Sequence, residues 1–170
     1  MLPKSYLVFK WLVYASATLL FFALQSLVLN HIRVLGLTPF LYPLLPAIVA
    51  MYEGRRRGPV FALALGVVCD AMLHGPFQGF FTILFPAVAL FAAVMGENFL
   101  SPGFFCCLFV SAAALLATGG MRILVQILSG GGYLALMARI TVGETLLTLP
   151  AMLVVMPLYR TIHRRCASDY

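Results

Sequence analysis

Besides Lys10 near the start of the first, four charged side chains stand inside apolar runs: Asp70, Arg122, Arg139 and Glu144. A charge at the middle of a bilayer costs about 2.5–3.5 kcal/mol on insertion scales, so such residues face protein or water. Two carboxylates and two guanidiniums cancel. The pattern predicts a neutral intramembrane network that binds helices together; a partner-protein site or a proton or substrate path would use the same groups. Arg139 and Glu144 are five residues apart, about 140° around one helix, so each should pair with another helix. Thr118, Arg122, Gln126 and Ser129 share one helix face, and Thr141, Glu144 and Thr148 share another. Catalysis needs a nucleophile beside a base, or a metal cluster. Asp70 and His74, spaced i, i+4, fit a contact at a helix end instead, and His31 and His163 fall at opposite sides of the membrane. Gly130-Gly131-Gly132 lacks the following Lys of a phosphate-cradling loop. Cys69, Cys106, Cys107 and Cys166 form no Cys-x-x-Cys and no Cys/His ligand spacing. These residues predict no enzyme, no cofactor and no metal.

The elements that position them must be membrane helices. The chain has 170 residues, 63% hydrophobic and 9% charged, with a mean hydropathy of +1.04. A soluble domain is about 45–50% apolar and about 25% charged. Eleven basic and five acidic side chains cannot wet the surface of such a globule. That excludes a soluble enzyme, a disordered chain and a coiled coil. Six runs read as spans: Leu7–Leu29, Val34–Tyr52, Gly58–Leu73, Phe77–Met95, Gly103–Leu128 and Leu134–Tyr159. At about 20 residues each they use roughly 120, leaving tails and short connections around a single transmembrane domain, 1–170. The runs are continuous rather than alternating, which disfavours a β-barrel. The expected fold is an all-α bundle of six transmembrane helices. The first run reads as a retained helix, because too little apolar sequence precedes Ala15-Ser16-Ala17 for a cleaved leader.

Orientation follows from Lys and Arg. Lys4, Lys10, Arg55, Arg56, Arg57, Arg160, Arg164 and Arg165 fall on one side of this six-span layout, and only Arg33 on the other. Both termini and the Arg55–Arg57 loop are therefore expected in the cytoplasm, held at an anionic lipid surface and not at nucleic acid.

Prolines and small residues mark the irregular places. Pro39, Pro43 and Pro46 interrupt the second run, so regular helix is expected from about Phe40 to Tyr52, with Val34–Thr38 as an interfacial or re-entrant lead-in. His74-Gly75-Pro76 predicts a sharp reversal between the third and fourth runs, with Gly79 just beyond it. Ala62, Gly66 and Asp70 recur every fourth residue, and Ala89, Ala93 and Gly96 repeat the theme. Small residues at that spacing let helices approach closely, either inside the bundle or against a partner's single helix.

The series Glu53-Gly54, Gly58, Gly66-x-x-x-Asp70 and Gly75-x-x-x-Gly79 resembles the centre of the MreD family, as does the proline-rich second run. The specific motifs cover about residues 39 to 80; the length, the six runs and the short basic ends are similar throughout. The resemblance implies a non-enzymatic inner-membrane scaffold of the bacterial elongasome. Such a protein binds MreC and works with RodA and a class B penicillin-binding protein in lateral peptidoglycan synthesis and rod cell shape. It also implies a fold similar to the substrate-binding subunit of energy-coupling-factor transporters, which supplies the alternative of a vitamin-binding subunit. Arg122, Arg139 and Glu144 match no motif position of the family.

Overall fold

The computed structural model describes residues 4–29, 31, 37–73, 75–98, 103–130 and 134–167. Every extended element among them is helical: α1 (Lys4–Leu24) with a π turn (Gln25–Leu29), α2 (Leu44–Met72), α3 (Phe80–Asn98), α4 (Phe104–Leu128), α5 (Leu134–Thr148), a 3-10 turn (Leu149–Ala151) and α6 (Met152–Ala167). Four stretches are long and apolar enough to cross a membrane: Lys10–Leu27, Phe80–Asn98, Phe104–Leu128 and Leu134–Arg164. Their outer faces are oily: Leu20 is 63% exposed, Ile83 66% and Phe105 76%, a surface that belongs in hydrocarbon.

α2 is two arms, not one rod. Gly54 breaks it with φ 74° and ψ −176°, a conformation open to glycine and strained for other residues. The chain doubles back there. A Cβ on Gly58 would lie 2.6 Å from the Cα of Ala50, whereas eight residues of straight helix would separate them by about 12 Å. Arg55–Arg57, expected as a loop, are instead helical and open the second arm, 55–72.

The first arm, 44–53, is the centre of the protein. Leu44, Leu45, Ala47, Ile48, Val49 and Ala50 are completely buried, as an arm apolar on all sides must be. Its ten residues rise about 15 Å, half of a bilayer core. Regular helix starts at Leu44, not Phe40. Pro39 and Pro43 have no amide to donate, whereas Pro46 fits the first turn, where amides lack partners anyway. The backbone before Leu44 is non-helical, and in a membrane its polar groups need partners. Gln25 supplies two: its Nε2 donates to the Pro39 carbonyl (2.6 Å), and its Oε1 accepts from the Leu41 amide (3.1 Å). The Phe40 amide donates to Thr148 Oγ1 (2.9 Å). Of the expected lead-in, residues 34–36 lie outside the described residues.

The last expected span, Leu134–Tyr159, is interrupted by the turn at Leu149–Ala151, where Pro150 removes a donor, and α6 continues to Ala167. Contacts define the two ends of the bundle. The start of α1, the Gly54 break, the end of α3 and the end of α6 meet at one end through Lys10, Glu53, Arg55, Glu97 and His163. The start of α5 opens the stretch Leu134–Arg164, whose far end is this one, and so belongs to the other.

Candidate functional site

The densest polar cluster sits at the Gly54 break. Glu53 is the last residue before it, and its side chain is 2% exposed. A buried carboxylate must be paired and hydrogen-bonded. Lys10 Nζ lies 2.7 Å from Oε1 and 2.8 Å from Oε2. The Tyr14 hydroxyl donates to Oε1 at 2.9 Å, and His163 Nδ1 is 3.1 Å from the same oxygen. Glu53 lies outside both neighbouring apolar runs. Burial alone would raise its pKa; the hydrogen bonds from His163, Lys10 and Tyr14 and the Lys10 charge outweigh it and hold the carboxyl at about 2. Below this cluster Tyr14 stacks on Tyr159 (5.7 Å between centroids), whose hydroxyl meets Thr18 Oγ1 at 2.8 Å. One carboxylate thus ties α1, α2 and α6. Beside it Glu97 of α3 accepts the Arg55 amide (2.9 Å) and closes the start of the second arm, so close that a Cβ on Gly54 would lie 2.6 Å from its Oε1.

Asp70 is a helix cap. Its Oδ1 accepts the Phe81 amide (3.0 Å) and its Oδ2 the Thr82 amide (2.8 Å) and hydroxyl, which satisfies free donors at the start of α3. Asp70 therefore does not join Arg122 and Glu144, contrary to expectation: its helix end faces the adjacent hairpin. Gly66, one turn earlier, touches the same place; a Cβ there would lie 2.6 Å from the Phe81 carbonyl oxygen. Ala62, Ala89 and Ala93 are fully buried. Gly75 would set a Cβ 3.1 Å from that of Phe80, and Gly79 holds φ +83° in the turn. Ala62, Gly66, Ala89 and Ala93 thus pack the inside of the bundle and line no outer face. The expected Asp70–His74 contact lies outside the described residues.

The expected network shrinks to one pair. Arg122 and Glu144 join α4 to α5 at 3.9 Å, and the guanidinium lies 4.4 Å above the Phe40 ring. Thr118, Gly119, Thr141 and Thr145 complete a cavity of about 10 Å³, room for about one water. Arg139 is exposed on α5 and makes no ion pair among the described residues, because it projects away from this seam. Arg55, Arg56 and Arg57 are exposed at the Gly54 end, as are Arg160 and Arg164; the Arg165 side chain lies outside the described residues.

The sequence does not mark Glu53, Lys10, Gln25 and Glu97 as joints. Lys10 at the edge of an apolar run, and a glutamate before a glycine, were the available signals. Among the described residues no three His, Cys, Asp or Glu side chains come together as a metal site. What the arrangement does is fasten helix ends: each described carboxylate holds an amide, a cation or a phenol. No family model, curated protein or solved structure matches this chain.

Proposed function

We propose that this chain is a non-enzymatic scaffold of the MreD kind in the bacterial inner membrane. It crosses six times, with both ends in the cytoplasm. It binds MreC and, with RodA and a class B penicillin-binding protein, supports lateral peptidoglycan synthesis and rod shape. The observation that carries this reading is the use made of the family-like residues. Glu53, Gly54, Gly66 and Asp70 all serve joints between helices. A rigid bundle with oily outer faces suits a partner that brings a single helix, since close packing and buried polar contacts supply affinity in lipid. The Arg-rich end agrees with a cytoplasmic placement.

The alternative is a substrate-binding subunit of an energy-coupling-factor transporter. It shares the expected fold, but a polar ligand needs convergent donors in a pocket. Away from the Arg-rich end, the polar groups that converge, around Arg122 and Glu144, leave space for about one water. Solubilising tagged full-length chain from cells that also express MreC separates the two. MreC retained at a fixed ratio, with no stoichiometric small molecule, supports the scaffold. A tightly held vitamin, with MreC absent, overturns it.

A further inference from the structure

Among the described residues, Arg139 is the one cation away from the Arg-rich end that makes no ion pair. The chain has five acidic residues. Glu53 is held by Lys10, Tyr14 and His163, Asp70 by the start of α3, and Glu97 by the Arg55 amide. Glu144 stands at Arg122, about 140° around α5 from Arg139. Asp169 lies outside the described residues. Arg139 lies at the opposite end of the same apolar stretch, Leu134–Arg164, five residues or about 7.5 Å from its start. Among the described residues no carboxylate meets Arg139, and a cation on an outer face at that depth favours an anion beside it.

Its position says which anion. Helical side chains lean toward the N-terminus of their helix, so Arg139 reaches toward headgroup level, where the start of α5 adds partial positive charge. Arg139 borders an open groove of about 510 Å³ whose other lining is Leu37, Leu136, Ile140, Val142, Gly143 and Leu146. Leu37 covers Gly143 closely: a Cβ there would lie 2.5 Å from Leu37 Cδ1. From Ile140 to Leu146 the trough runs about 9 Å into the apolar layer. A cation at headgroup depth above an oily trough matches a phosphate ester carried on a hydrocarbon chain. We propose that Arg139 and this groove bind an anionic phospholipid, its phosphate on the guanidinium and an acyl chain along Ile140–Leu146.

The test is native mass spectrometry of the full-length protein released from nanodiscs of phosphatidylglycerol mixed with phosphatidylcholine. Wild type should retain phosphatidylglycerol preferentially. Arg139→Gln should lower that retention about tenfold, the effect of one charged hydrogen bond, while melting like wild type. Arg139→Lys should keep most of the preference, and Ile140→Trp, which fills the trough, should lower retention of both lipids. Equal retention of the two lipids by wild type, or unchanged retention in Arg139→Gln, overturns the proposal. So does loss of a co-purifying single-span protein from Arg139→Gln with its lipids unchanged, which would assign the cation to a partner's carboxylate.

Discussion

Glu53 illustrates what a single residue does in this protein. Its carboxylate joins helices whose contacting residues lie 39 to 110 positions away in sequence. Removing one partner of a buried ion pair leaves the other uncompensated, at a cost of about 3–5 kcal/mol. Glu53→Gln should therefore lower the Tm in detergent at pH 7 by roughly 10 °C in a chain of this size. The pH dependence carries the same signature. A carboxyl held at about 2 against an ordinary 4.5 stabilises the fold above pH ~4.5 and loses that contribution as pH falls toward 2. Wild type should lose Tm across that window and Glu53→Gln should lose less, read by thermal shift from pH 7 to pH 3. Parallel profiles would remove Glu53 from this role. The sequence made the in-span charges conspicuous and hid this one. Glu53 lies beside three arginines outside any apolar run, and nothing local points to Lys10 or His163. Gln25 was hidden likewise, since the carbonyl it holds belongs to a proline 14 residues on.

Helix existence was legible because lipid demands long continuous apolar runs. Helix boundaries were less so. Pro39, Pro43 and Pro46 announced an irregular second run, yet which proline sits in the first helical turn depends on Gln25 and Thr148 meeting the extended backbone. The reversal at Gly54 reads as a loop in the sequence, because arginines in a connection look the same whether helical or not. The hairpin between the second arm of α2 and α3 was readable in outline, and its joint is testable. Gly66→Leu must displace the Phe81 backbone; overpacking of this kind costs about 1–3 kcal/mol. Asp70→Ala removes a cap worth about 1 kcal/mol in a typical helix. Both should lower Tm, Gly66→Leu more; the reverse order would mean that this crossing is looser than its geometry.

At the scale of the whole molecule, basic residues collect at one end and the sites of Arg122, Glu144 and Arg139 lie toward the other. The Gly54 break shares its end with the end of α6. A phosphatase or fluorescent reporter at residue 56 or after residue 164 should therefore report the same compartment, the cytoplasm; opposite compartments would break the layout. The central claim is that the polar side chains fasten helices so that the bundle can present an outer face to MreC. The most direct measurement is the MreC captured per folded, membrane-inserted molecule of wild type, Glu53→Gln and Asp70→Asn. The account predicts fewer folded molecules of each variant and unchanged capture per molecule. Variants that accumulate and insert like wild type yet capture no MreC would contradict it.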